Sequence, residues 1–271
     1  MLFIDYKQAF DRVDRNQLYR ALQEFSIPVK LINLIKMTMN RTQAKVLVGK
    51  ISSRNFEVTG GVRQGEALSA ILFNLALHKA AKRVENRGSL TSRSSQIMGY
   101  ADDLAILGHT ERAVREVFVE LEQESKKLGL MINKEKTKYL VISPSETRRV
   151  ARNLKIRPYS FEGVNSFKYL GVEINSENLI SREIRNRIMA ANRAYFGLAN
   201  LFKSRLLTRK TKVPLYKALV RPIACYGAET WVLNIADENA LRIFERRVLR
   251  RIFGPVCDGG TWSIRWNHEL D

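Results

Sequence analysis

Cysteine and histidine are nearly absent, with 2 and 3 copies in 271 residues. Cys225 and Cys257 have no Cys or His partner at metal-ligand spacing, the nearest being His268. This excludes a zinc module and a disulfide framework, and both thiols read as reduced and structural. His78, His109 and His268 are scattered and read as incidental surface or packing residues. No apolar run reaches the ~18 residues of a membrane span. Asp5 and Lys7 break any apolar segment at the start, so no signal peptide is indicated. An intracellular location follows as an expectation, with nucleus and cytoplasmic ribonucleoprotein left open. Repeats and low-complexity segments are also lacking. Acid is scarce: 27 Asp and Glu face 46 Lys and Arg, for a net charge of +19. Such an excess predicts a polyanionic partner, most simply nucleic acid, although ribosomal, histone-like and membrane-surface proteins share it.

With 45% hydrophobic and 27% charged residues, the chain is globular, long enough for one large domain or two modest ones. The opening "MLFID" reads as a short buried strand that starts without lead-in, and "IRWNHELD" stops without a tail, so both ends read as cut from something longer. A helix follows over "RNQLYRALQEFSIP", with Leu18, Leu22 and Phe25 on one face, and another over residues 29–39. "AKVLVGKISSRNFEV" reads as two strands around a turn region. The Gly-rich "GGVRQG" leads into a long helix ending near Gly88. Then "MGYADDLAI" reads as strand, turn, strand. Thr110 caps a helix with a stripe of Val114, Val117, Phe118, Leu121 and Leu128, stopped by Gly129. "KTKYLVIS" and "FKYLGVEI" read as strands. This order is a split βαβ, ferredoxin-like α+β arrangement.

From about Ser181 the pattern is helical only, with Ile184, Ile188, Ala191, Tyr195 and Leu198 in register and further helices over 213–220 and 237–253. Between Arg182 and Arg221 many basic residues, Arg185, Arg193 and Lys203 among them, face the single acid Glu183. Helix-stabilising pairs would alternate in sign, so this surface reads as a binder of phosphate backbone rather than a merely solvated face.

Aspartate is a poor strand former and costly to bury, yet "YADD" sets Asp102 and Asp103 inside an apolar run. Alone, the pair reads as an ordinary turn. Asp5 at the end of the first strand changes that, because neighbouring strands of a split βαβ sheet bring such carboxylates to one edge. Like charges there repel unless a divalent cation supplies the opposite charge.

In this order and spacing, "FIDYKQAFD", "GGVRQGEALSAILFNL", "YADDLAI", "GLMINKEKTKYLVIS" and "FKYLGVEI" resemble reverse-transcriptase motifs A to E. The chain resembles the polymerase of a non-LTR (LINE-type, jockey-like) retrotransposon, and "LYKALVRPIACYGAETW" and "RRVLRRIFGP" extend the likeness beyond motif E. The resemblance implies a right-hand polymerase palm over residues 1–178 and a helical, thumb-like region over 179–271. It implies two Mg²⁺ ions, with Mn²⁺ as a substitute, held by Asp5, Asp102 and Asp103, and an RNA template, a DNA primer and deoxynucleoside triphosphates as partners. Phe10 matches the steric-gate position, with a core Phe on the strand-to-helix turn as the plain alternative. Gln64, Gly65 and Ala101 fall at nucleotide-contacting positions. Tyr100, Arg63, Phe167, Tyr169, Leu170 and Gly171 fall at primer and template positions, as do the basic residues Arg185, Arg193 and Lys203. Lys136 is the choice for the motif D lysine that protonates the leaving pyrophosphate, with Lys134 and Lys138 as rivals.

Two departures stand out. Where the family commonly has Asp-Pro-Leu-Ser-Pro after Gln64-Gly65, this chain has Glu66-Ala67-Leu68-Ser69-Ala70. Motif A also begins at residue 3, so the fingers and endonuclease regions are expected to belong to a longer polyprotein. An inactive, nucleic-acid-binding remnant is the alternative reading. A two-metal nuclease fits the carboxylates but not the motif order.

Overall fold

The computed structural model describes residues 1–87, 96–149 and 151–270. They form two compact units, Met1–Leu170 and Gly171–Asp271. The first is built on a six-stranded sheet. Its strands are β1 (Leu2–Ile4), β2 (Gln96–Tyr100), β3 (Asp103–Leu107), β4 (Lys138–Leu140), β5 (Leu154–Ile156) and β6 (Tyr159–Val164), in the spatial order β2-β3-β1-β4-β6-β5. β1 runs antiparallel to both β3 and β4. Strands β1 to β4 therefore have the interleaved order expected of a split βαβ unit. The sheet is extended by β6, parallel to β4, and by β5, antiparallel to β6.

The longer helices of this unit are α1 (Arg15–Glu24), α2 (Val29–Met39), α3 (Ala67–Arg87) and α4 (Glu111–Lys127). Their starts are encoded locally. The Asp14 carboxylate accepts from the Gln17 amide, and the Thr110 hydroxyl accepts from the Ala113 amide. Leu2 and Ile4 of β1 share a core with Leu18 and Leu22 of α1, Phe73 and Ala76 of α3, and Val114, Val117, Phe118 and Leu121 of α4. Each large side chain buried there contributes roughly 1.5–3 kcal/mol. Phe3 points to the opposite face, as strand alternation requires, and stacks on Phe167 with ring centroids 4.3 Å apart.

Several local expectations are corrected. "AKVLVGKISSRNFEV" forms nested two-residue pairings, Gln43–Ala44 with Phe56–Glu57 and Leu47–Val48 with Ile51–Ser52, rather than two longer strands. "FKYLGVEI" is not one strand. It breaks between Ser166–Tyr169 and Val172–Asn175, because Leu170 and Gly171 both take positive φ, 48° and 83°. Strands β5 and β6 have no counterpart among the expected strands. The helix end near Gly88 lies outside the described residues. Both cysteines are free and exposed, so neither serves as a packing residue.

The second unit contains α5 (Ile180–Gly197), α6 (Arg209–Leu219) and α7 (Ile235–Phe253), with shorter helices at Ala199–Lys203 and Arg221–Ala224. Ala191, Tyr195, Phe202, Tyr216, Val220, Phe244, Val248 and Ile252 form its core. Its non-helical parts include Val172–Asn175 and the hairpin of Val256–Asp258 with Thr261–Ser263. The division falls at Leu170, ahead of the expected position 178. Val172–Asn175 is tied to α5, where the Glu183 carboxylate accepts from the Glu173 amide at 2.9 Å.

Candidate active site

The sheet register brings two of the three expected carboxylates face to face. β1 and β3 pair as Leu2 with Ile106, Phe3 with Ala105 and Ile4 with Leu104. One further step sets Asp5 opposite Asp103, on the face that carries Phe3. Side chains opposed in this way have Cβ atoms ~4.5–5.5 Å apart. Asp102 sits beside them in the two-residue turn between the paired Tyr100 and Asp103. Its turn partner Ala101 has φ +55°, a conformation that costs a non-glycine residue about 1–2 kcal/mol. Strain of this kind concentrates at functional turns.

The electrostatics fit a cation site. Desolvation raises the Asp103 carboxyl above its ordinary value, and the negative charges of Asp102 and Asp5 raise it further. The Oδ2 atom of Asp5 is buried without a hydrogen-bond partner. A buried, unpaired carboxylate oxygen is expensive, and a divalent ion would satisfy it. Among the described residues no three His, Cys, Asp or Glu side chains are already gathered into a metal-binding group. The fit therefore rests on the donor chemistry, three carboxylates at one sheet edge, one with an orphaned oxygen.

The segment 131–137 wraps the backbone around Asp5. The Lys7 amide donates to the Met131 carbonyl, and the Asn133 amide to the Asp5 carbonyl, both at 2.8 Å. The Asp5 amide donates to the Thr137 hydroxyl at 3.2 Å. This brings Lys136 into a cavity of about 340 Å³ shared with Asp5, Asp103, Glu135, Phe167 and Tyr169. Lys138 also borders it, but its ammonium is paired with Glu162. Lys134 is not among the lining residues. The Tyr169 hydroxyl donates to the Asp103 carbonyl at 3.2 Å. Leu170 follows at the end of the first unit, and Gly171 opens the second.

Phe10 is half-buried and stacks on the fully buried Phe73, centroids 4.7 Å apart. It is thus packed against the core without being wholly enclosed. Gln64 and Gly65 are exposed, and Gly65 takes φ +90°. Arg63 is ion-paired with Glu66 at 3.0 Å, a surface pair worth ~1 kcal/mol or less. Tyr100 is exposed at the tip of β2.

Sequence reasoning missed Arg15. Its guanidinium donates to three backbone carbonyls, Gly61 at 2.9 Å, Met39 at 2.7 Å and Gly60 at 3.0 Å. The Gly61 amide in turn donates to the Val13 carbonyl, and the Val62 amide to the Phe10 carbonyl. Arg15 therefore ties the loop bearing Gln64 to the segment bearing Phe10. Carbonyl acceptors carry no residue signature, so nothing in the sequence marks this clamp. Asn133 was legible in principle: its carboxamide accepts from the Glu135 and Lys136 amides, a local turn habit of Asn.

In the second unit Arg185, Arg193 and Lys203 are all exposed. The basic surplus is less one-sided than the sequence implied. Arg182 pairs with Glu173 at 2.8 Å. Arg187 pairs with the buried Glu183, donates to the Gly171 carbonyl, and lies over the Tyr226 ring at 4.5 Å.

Residues 1–174 match the family model described as reverse transcriptase (RNA-dependent DNA polymerase). A transposon-derived protein of Caenorhabditis elegans is 29% identical over 165 residues, 61% of this chain and 59% of that protein. The Pol polyprotein of a type-1 retrotransposable element R2 of Popillia japonica is 25% identical over 98% of this chain and 46% of its own length. The R2 polyprotein of Nasonia vitripennis is 27% identical over 67% of this chain and 19% of its own length. The chain thus spans 59%, 46% and 19% of the length of these three curated relatives. Among solved structures, apo telomerase of Candida tropicalis aligns over 93% of this chain and 46% of its own, at 13% identity and a TM-score of 0.49. The Popillia japonica and Nasonia vitripennis relatives are R2 elements, and they agree with a non-LTR retrotransposon reverse transcriptase.

Proposed function

Because this chain belongs to the reverse transcriptase (RNA-dependent DNA polymerase) family, we propose that it forms the catalytic part of a non-LTR retrotransposon polymerase that copies RNA into DNA. The observation that carries this reading is the apposition of Asp5 and Asp103, with Asp102 on the adjoining turn and one buried Asp5 oxygen unpaired.

In this reading Asp5, Asp102 and Asp103 hold the divalent ions, Mg²⁺ or in its place Mn²⁺. Bound there, such ions would supply positive charge that favours ionisation of the primer hydroxyl and offsets charge on the leaving phosphates. The primer 3′-hydroxyl gives up its proton to solvent as its oxygen forms a bond to the α-phosphorus of a deoxynucleoside triphosphate, the bond from that phosphorus to the bridging oxygen breaks, and pyrophosphate leaves. Lys136 delivers a proton to the departing oxygen. Its place in the cavity with Asp5 and Asp103, and the pairing of Lys138 with Glu162, favour it over its rivals. Phe10, braced by Phe73, excludes a ribose 2′-hydroxyl. Gln64 and Gly65 contact the incoming nucleotide and Ala101 the primer end. Tyr100, Arg63, Phe167, Tyr169, Leu170 and Gly171 guide primer and template. Arg185, Arg193 and Lys203 bind phosphate backbone. The catalytic gain comes mainly from positioning and charge stabilisation.

The test is primer extension on an RNA template with deoxynucleoside triphosphates and Mg²⁺. Incorporation is expected, and Asp102→Ala abolishes it. Activity that survives the substitution removes the assignment of roles. Nucleic-acid binding without any incorporation supports the inactive-remnant reading instead.

A further inference from the structure

The second unit carries a groove that the catalytic reading does not use. Its volume is about 690 Å³, between the C-terminal end of α5, α7 and the segment around Arg265. Lys203, Arg247, Arg250, Arg251 and Arg265 border it, and no carboxylate does among the described residues. Two of these arginines are structural. Arg250 donates to the Arg265 carbonyl and the Asn267 carboxamide, and Arg265 donates to the Gly254 carbonyl. The other three cations, Lys203, Arg247 and Arg251, are exposed. Phe196 stands at the groove with 67% of its surface exposed. It packs edge-on against Tyr195, which anchors it to the core.

The groove continues along α5. Arg185, Met189, Arg193 and Phe196 are all exposed. Their spacing of four, four and three residues puts them on one helix face. At 1.5 Å rise per residue the stripe is about 16 Å long. Cations therefore alternate with a flat aromatic and a polarisable apolar side chain, and the track opens into the groove where Lys203, Arg247 and Arg251 are exposed. An exposed aromatic ring beside a basic groove is a platform on which a base can stack. A duplex hides its base faces, whereas a single strand offers both a phosphate chain and open π-faces.

We propose that this track and groove bind single-stranded nucleic acid, with a base stacked on Phe196 and phosphates on Lys203, Arg247 and Arg251. The proposal deepens the nucleic-acid reading above, but it concerns binding alone.

The test is fluorescence anisotropy of the full chain with a short single-stranded RNA, its DNA counterpart and the matching duplex, in EDTA without nucleotide. Phe196→Ala is expected to weaken single-strand binding roughly tenfold and to leave duplex binding within about twofold. Phe196→Leu, which keeps apolar bulk, shows the same loss. Arg247→Gln with Arg251→Gln lowers the slope of log affinity against log salt by about 1.4, at ~0.7 per phosphate contact on a single strand. The control Lys30→Gln with Lys50→Gln, on exposed sites of the first unit, does not. Tighter binding of RNA or of DNA identifies the strand that occupies the groove, and either supports the proposal. Unchanged single-strand affinity in Phe196→Ala, or a control that matches the arginine pair, overturns it. Because no metal or nucleotide is present, loss of catalysis in the extension assay leaves this result untouched.

Discussion

The Tyr169 hydroxyl donates a 3.2 Å hydrogen bond to the backbone carbonyl of Asp103. The Tyr169 ring also lies against Phe3, with centroids 5.4 Å apart, and Phe167 stacks on the same Phe3. The strand Ser166–Tyr169 thus covers the carboxylate-bearing face of β1 and fixes the hairpin through its backbone. The acid is positioned by main chain and aromatic packing, so its side chain remains available for a ligand.

Asp103 predicts an inverted pH dependence. Its carboxyl is raised by desolvation, then by Asp102 and Asp5, so the folded state disfavours the ionised form. A raised pKa gives stability that is full below the unfolded value and lost as pH rises through the folded one. In metal-free buffer at neutral pH, Asp103→Asn should therefore raise the melting temperature by about 1–3 °C. The gain should fade below the ordinary carboxylate value of 3.8. Mg²⁺ should stabilise the native chain more than the variant. Thermal melts over pH check this, and a variant less stable at neutral pH without metal would contradict it.

Phe10 is braced by Phe73 yet only half-buried, which suits a wall that must not yield. Phe10→Val should cut discrimination between deoxy- and ribonucleotides by roughly 10- to 100-fold in incorporation assays. It should also cost about 0.5–1.5 kcal/mol of stability through the lost stacking. Unchanged sugar selectivity would leave Phe10 as packing only.

The Arg15 clamp carries charge-assisted bonds to three carbonyls. Arg15→Gln should destabilise the first unit by about 3 kcal/mol and raise KM for nucleotide more than it lowers kcat. Gly61→Ala should act similarly, because a Cβ there would sit 2.6 Å from the Asp11 carbonyl oxygen at φ +74°. Denaturant unfolding of both variants is the measurement, and a loss below ~1 kcal/mol for either would refute the clamp.

Much of this architecture was legible in sequence. Apolar runs at Leu2–Ile4 and around Asp102 announced β1, β2 and β3, and capping residues Asp14 and Thr110 announced two helices. The carboxylates stood out because they interrupt those runs. By contrast, β5 and β6 are obscured by the Arg157-Pro158 turn between them and by the polar Ser160 and Glu162 within β6. The break at Leu170 was hidden because only the backbone expresses it. The pairing of Arg182 with Glu173 is not legible in the sequence because the acid lies outside the helical segment that carries the arginine.

Exposed apolar surface is the first unit's other conspicuous property. Val29, Met37, Val48 and Ile51 are 68%, 73%, 72% and 79% exposed. A surface of that kind favours association. Sedimentation velocity should show concentration-dependent self-association, relieved by Met37→Lys with Ile51→Lys. A monodisperse native chain at high concentration would contradict this.

The central claim is that the apposed carboxylates serve phosphoryl chemistry rather than the fold. Asp5→Asn keeps the shape and removes the charge from the orphaned buried oxygen. Single-nucleotide incorporation on an RNA template, measured for native chain and variant alongside their melting curves, decides it. The account predicts a loss of at least about 10²-fold in rate with melting unchanged or raised. Equal rates, or a loss explained by unfolding, would contradict it.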